Sequence, residues 1–184
     1  KDDSDEYIIV RLDHVVPAVN IVTVYGSQEC RTSKEEILES WGKLETDLDE
    51  ISKRGEAFLM IGDLNRAVGS DEHGVAGNHN RVSYGAQLVR DMSKEKKCVI
   101  LNNMAEGGPW TWVQRGNESS KSCLDSAICS ANLVPFVKLV LIDKDKQFTP
   151  RRIIWRKVSF TSVYTDHLPV EVTLSGMPRR KKMS

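Results

Sequence analysis

The sequence predicts one mixed α/β domain, and three observations carry that prediction. Short β-branched apolar runs alternate with two amphipathic helical segments. One run, AFLMI (57–61), is apolar at every position, which suits a strand covered on both faces and therefore layers on either side of it. No repeat, low-complexity stretch or interdomain linker interrupts the 184 residues, a length that holds one domain with a sizeable core.

The first strands are read at YIIVRL (7–12) and NIVTVYG (20–26). The segment TSKEEILESWGKLETDLDEISKRG (32–55) then reads as a helix. Ser33 and Glu36 form a capping-box pattern, in which each side chain takes a free amide of the other residue. Ile37, Leu38, Trp41, Leu44, Leu48 and Ile51 recur at helical spacing, and Gly55 follows two basic residues where a helix would end in a left-handed turn. After the strand AFLMI comes GDLNRAVGSDEHGVAGNHNRVSYG, a long stretch without hydrophobic period, of the kind that carries function in compact domains. A second helix is expected over about 83–95, with Leu88, Val89 and Met92 inward. CVILNN, WTWVQ, CLDSAICS, LVPFVKLVLI and LPVEVTL complete the expected strands.

Composition narrows the class. A hydrophobic share of 40% and a charged share of 28% are those of a globular protein, and no apolar run approaches a membrane span. The acidic opening KDDSDEY does not read as a secretory signal. Cys30, Cys98, Cys123 and Cys129 contain no Cys-x-x-Cys pair, which argues against a zinc site. Three of the four lie in or beside apolar runs, as buried free thiols of a reducing, intracellular compartment would. The formal charge is zero, yet residues 1–72 hold 8 Lys/Arg against 17 Asp/Glu and residues 73–184 hold 18 against 9. A basic second part can face phosphates, although RRKK in the tail MPRRKKMS (177–184) also reads as a solvated end.

The residues able to do chemistry stand at strand ends. Tyr25 closes NIVTVY; Asp63 and Asn65 follow AFLMIG; Asp125 interrupts SCLDSAI; Asp166 and His167 precede LPVEVTL. Each has an innocent reading as a turn, an edge or a solvent-facing residue. Adjacent strands of an α/β sheet bring such ends together, however. Carboxylates, an amide, a phenol and a histidine in one cleft make a kit for divalent-metal phosphate chemistry, with oxygen ligands suited to Mg²⁺.

Strand-Tyr, GDLN, S-x-L-D and TDH-x-P, in that order and spacing, resemble the endonuclease/exonuclease/phosphatase superfamily over about residues 7–175. The stretch from GDLNRAVGSDEHGVAGNHN through LVRD, CVILNN and WTW to SCLD is similar to the apurinic-type endonuclease domains of non-LTR retrotransposons. The resemblance implies an α/β fold that is a four-layer αββα sandwich of the DNase I-like type over residues 1–176. It implies a Mg²⁺-dependent (Mn²⁺ possible) endonuclease acting on DNA in the nucleus, with a reverse transcriptase domain in the same natural polypeptide.

It also implies roles. Asp63 would orient or deprotonate the attacking water, and Asn65 would hold that water and a phosphate oxygen. Asp166 would lie at the metal. His167 would donate to the scissile phosphate, with Asp125 orienting its ring and favouring the charged form. Tyr25 would touch the phosphate or leaving oxygen, and Ser122 would match the small hydroxyl residue of the family's Ser-x-Ile-Asp motif. Relatives begin with two further strands bearing an asparagine and a metal-binding glutamate, and neither Glu6 nor Glu29 matches that glutamate's context. Tyr25 is followed by Gly-Ser where a proline two residues on is common, and Thr165 stands for the more frequent serine. The expectation is a domain lacking its first strands, with weak or no activity alone. A decayed relative that binds nucleic acid or protein without cleaving, and a phosphoesterase of the same fold, remain alternatives. Trp110, Trp112 and Trp155 read as core residues before base-stacking ones, and His14, His73 and His79 as loop residues.

Overall fold

Five strands form the main sheet: β1 (Glu6–Leu12), β2 (Val19–Tyr25), β3 (Ala57–Asp63), β4 (Val99–Ile100) and, from further along the chain, β7 (Asp125–Cys129). Their spatial order is β1-β2-β3-β7-β4, with β2 and β3 parallel and the other neighbours antiparallel. The computed structural model describes residues 6–28, 31–66, 83–105, 110–113, 121–144, 152–155, 158–161 and 167–180.

Parallel neighbours need a crossover, and α1 (Lys34–Lys53) supplies it between β2 and β3. Both halves of the expected capping box are present at Ser33 and Glu36. Gly55 leaves the helix at φ 69°, a left-handed turn that a glycine takes without strain. Ile37, Trp41, Leu44, Leu48 and Ile51 are buried along one stripe. Leu38, expected on that stripe, is 47% exposed. It lies one position beyond Ile37, so the helix turns it about 100° away. Together with α2 (Tyr84–Glu95), capped by Ser83, the helix packs on one face of the sheet against Val22, Val24, Phe58 and Met60.

The opposite face of the sheet packs on a second pair, β8 (Val137–Ile142) and β11 (Val170–Leu174), through Leu59, Ala127, Cys129, Val140 and Ile142. Alternate residues of β3 therefore enter different cores, Phe58 and Met60 on one side and Ala57 and Leu59 on the other. This explains why AFLMI shows no alternation. Leu139 and Leu141, on the outer face of β8, are exposed, and among the described residues no α-helix covers them. Ile8 and Val10 of the edge strand β1 are exposed as well.

Three expected strands come out shorter. CVILNN is extended only at β4 before a 3-10 turn over Leu101–Met104. The cause is Asn102, whose amide curls back to bond the β7 backbone. In LVPFVKLVLI the first part is a 3-10 turn (Ala131–Phe136) containing Pro135, which lacks the amide a ladder needs. WTWVQ contributes the two residues of β5 (Trp112–Val113), paired with β6 (Lys121–Ser122). A ribbon of β9 (Arg152–Trp155) and β10 (Val158–Thr161) was not expected from the sequence. The expected tail is partly docked. Val16 donates its amide to Pro178 at 2.8 Å, Arg180 donates to His14 at 2.9 Å, and Met177 packs against the second core.

Candidate active site

Three strands of the main sheet end side by side. In register, Tyr25 stands opposite Asp63 across β2 and β3, and Asp63 stands opposite Asp125 across β3 and β7. His167 comes from the segment entering β11 and reaches the same edge through a bridge between its backbone and Trp112. One ligand atom each from Asp63, Asp125 and His167 lie within 4.8 Å of one another.

The histidine is aimed. Its Nδ1 lies 2.8 Å from Asp125 Oδ2, the pairing expected from the sequence, and this bond sets the orientation of the ring. Asp125 is itself held from both sides. Thr111, fully buried, accepts the amides of Leu124 and Asp125 on its hydroxyl at 3.0 and 2.9 Å. Its carbonyl accepts the amide of Leu168 at 2.6 Å, so one residue ties the Asp125 segment to the His167 segment. Asn102, also fully buried, donates to the Asp125 carbonyl at 2.9 Å and accepts from Ala127 at 2.8 Å. Sequence reading missed Thr111 and Asn102. Their signal was faint: a polar residue inside WTW, and an asparagine after the apolar run CVIL.

Asp63 accepts the amide of Asn65 at 2.8 Å, which folds GDLN into a tight turn with Asn65 at φ 50°. Burial pushes the Asp63 carboxyl above its ordinary range, and the Asp125 charge adds to the rise. The Asn65 amide and the His167 charge oppose it. Asn65 donates its side-chain amide to the Gly26 carbonyl at 2.6 Å, which ties the GDLN turn to the loop after β2.

The remaining expected residues are placed less centrally. Tyr25 stands at the rim, 58% exposed. Ser122 lies in β6 opposite Trp112, its carbonyl accepting the Thr111 amide at 3.0 Å. Asp166, expected at the metal, lies outside the described residues, as do His73, His79, Cys30 and the side chain of Trp155. Trp110 and Trp112 are partly buried and His14 is exposed. The described thiols Cys98, Cys123 and Cys129 are free, and burial pushes them up to about 11, 12 and 12, away from the nucleophilic thiolate form.

The donor set fits a divalent cation. Two carboxylates at one edge offer the oxygen ligands that Mg²⁺ and Mn²⁺ take, and an imidazole nitrogen is tolerated by Mn²⁺.

No protein-family profile and no curated protein matches the sequence. Solved structures do match in fold. The 3′ phosphatase NExo from Neisseria, bound to a product DNA hairpin, superposes with a TM-score of 0.67 at 16% identity, over 92% of this chain and 65% of that one. An AP endonuclease from Archaeoglobus fulgidus gives 0.62 at 13% identity, over 91% and 65%. The endonuclease domain of TRAS1, a telomere-specific non-LTR retrotransposon, gives 0.57 at 16% identity, over 91% and 63%. The chain thus has the DNase I-like fold of the endonuclease/exonuclease/phosphatase enzymes, as its motifs led us to expect. It spans 65% of the length of the NExo structure, a little under two thirds.

Proposed function

We propose that this chain is a divalent-metal-dependent phosphodiesterase that nicks DNA, of the kind encoded by non-LTR retrotransposons. The observation that carries the reading is the convergence of Asp63, Asp125 and His167 at one sheet edge, with the histidine already oriented by its carboxylate. That arrangement supplies a proton acceptor and an aimed donor a few ångströms apart, as hydrolysis of a phosphodiester requires.

In this reading Asp63 orients a water and accepts its proton, a task favoured by a carboxyl whose affinity for protons is raised. His167 donates from Nε2 to the phosphate oxygens as charge builds, while Asp125 stabilises the charged ring. Asn65 presents its side-chain oxygen to the water, and Tyr25 and Ser122 flank the phosphate from the rim. A cation, Mg²⁺ or Mn²⁺, held by Asp63 and Asp125 with Asp166, would supply charge neutralisation at a phosphate oxygen. The wider context, a reverse transcriptase domain in the same natural polypeptide and a nuclear location, is proposed with it. It is supported by the motif spacing and the TRAS1 likeness.

Mg²⁺ leans on one or two carboxylates and keeps several waters. The cation would share Asp125 with the His167 ring and Asp63 with the attacking water, so we expect weak cation binding and slow nicking. A plasmid-relaxation assay with Mg²⁺ and Mn²⁺ tests this. Slow, metal-dependent relaxation that disappears in Asp63→Asn and in His167→Ala is expected. Relaxation that persists in both variants would remove Asp63 and His167 as its site, and its absence at every cation concentration would remove the nuclease reading in favour of a non-cleaving relative. Hydrolysis of small phosphomonoesters with intact plasmid would favour the phosphoesterase.

A further inference from the structure

Directly beneath the GDLN turn lies a cation that the reaction above does not use. Arg66 is 1% exposed. A guanidinium so deeply buried is costly unless its donors are engaged, and its fork favours fixed, directional partners. Its Nη1 donates to the Leu64 carbonyl at 3.1 Å, and its guanidinium carbon lies 5.8 Å from the centroid of the Trp41 ring on α1.

Leu64 is the residue between Asp63 and Asn65, and its neighbourhood is tied at every point. Its amide donates to the Leu124 carbonyl at 2.9 Å, next to Asp125. Gly26 donates its amide to the Asp63 carbonyl at 2.7 Å and accepts the Asn65 side chain at 2.6 Å. A Cβ on Gly26 would fall 2.2 Å from the Leu64 oxygen and 2.7 Å from Arg66 Nη1, so only glycine lets these three groups meet. The turn they hold places Asn65 at φ 50°, a conformation that non-glycine residues adopt at a cost and keep when their surroundings enforce it.

We propose that Arg66 is a positioning residue for the candidate site. By clamping the Leu64 carbonyl between itself and Gly26, with its guanidinium braced on Trp41, it fixes the left-handed turn at Asn65. Through that turn it fixes the direction of the Asp63 carboxylate. The proposal rests on the phosphodiesterase reading, and it assigns a task to a residue that touches neither substrate nor metal. Lysine would keep the charge over Trp41 but lose the planar fork, so it is a graded probe.

The test combines a catalytic and a non-catalytic readout on the full chain, with Arg66→Met and Arg66→Lys beside the parent and Asp63→Asn. Single-turnover nicking by Arg66→Met should slow roughly 30- to 100-fold, the scale of a misplaced catalytic group. DNA affinity by fluorescence anisotropy should stay within about twofold, since Arg66 makes no proposed contact with substrate. Arg66→Lys should fall between parent and Arg66→Met. Hydrogen exchange at the Leu64 and Asn65 amides should quicken in the same order, with α1 amides unchanged. If Arg66→Met unfolds, Gly26→Ala presses on the same carbonyl from the other side and should reproduce the rate loss with DNA affinity kept. Parental nicking and parental exchange in folded Arg66→Met would overturn the proposal. A parent no better than Asp63→Asn sinks the nuclease reading instead, and unchanged Asn65 exchange in Arg66→Met would then refute the clamp by itself.

Discussion

Strand β3 is flanked by two acidic residues, Glu56 just before its first residue and Asp63 at its last, and the fold treats them in opposite ways. Glu56 is nearly buried and saturated with donors. Arg11 donates to it at 2.8 and 3.1 Å, Asn20 at 3.0 Å and Arg54 at 3.3 Å. The Arg11 and Asn20 bonds hold its carboxyl down to about 2 against the pull of burial, with Arg54 assisting. Asp63, at the other end, accepts one backbone amide and lies near the Asp125 carboxylate and the His167 ring, and its carboxyl is pushed up, chiefly by burial. A carboxylate whose charge is fully matched stabilises the fold. One whose charge is left partly unmet is available for chemistry.

The largest break in that contrast is Asp63→Asn. It should lower nicking by about 10³-fold or more, the scale lost with an essential proton acceptor. Its effect on stability should be the reverse. The folded state raises this carboxyl, so the ionised form is disfavoured by folding, and the penalty is present once pH exceeds the folded value. Removing the charge should therefore raise the melting temperature at neutral pH, which thermal denaturation checks. Next comes the dyad. His167→Ala should cost about 10²–10³-fold in nicking and Asp125→Asn about tenfold, with unchanged folding by circular dichroism.

Glu56→Gln sharpens the other side. The depressed carboxyl contributes stability that is present above its ordinary value of 4.5 and lost as pH falls to about 2. The substitution should cost about 2 kcal/mol at pH 7, a figure discounted because both arginines are half exposed, and nothing near pH 2. Nicking per folded molecule should not change.

Much of this was legible in the sequence because its causes are local. A capping box, a helical stripe and an apolar run without alternation each write themselves into consecutive residues, and α1 and β3 followed from them. Asp63, Asp125 and His167 were legible for a related reason: polar residues at strand ends are visible before the strands are paired. What could not be read depends on partners far along the chain. Thr111 looked like part of a strand, yet its task is to bond Leu124, Asp125 and Leu168. Asn102 shortens β4 by bonding a strand more than twenty residues away. Glu56 was silent because its donors come from β1, β2 and the end of α1. Arg66 looked like a loop residue and is buried against Trp41. The docking of residues 177–180 on 14–16 was hidden for the same cause, since backbone pairing leaves little trace in side-chain pattern.

A carboxyl-carbon NMR titration of a single sample, reading Asp63 and Glu56 together, tests the contrast most directly. The account predicts Asp63 titrating above 3.8 and Glu56 near 2, so that the two ends of β3 separate in opposite directions from their ordinary values. Asp63 titrating at or below 3.8, or Glu56 near 4.5, would contradict it.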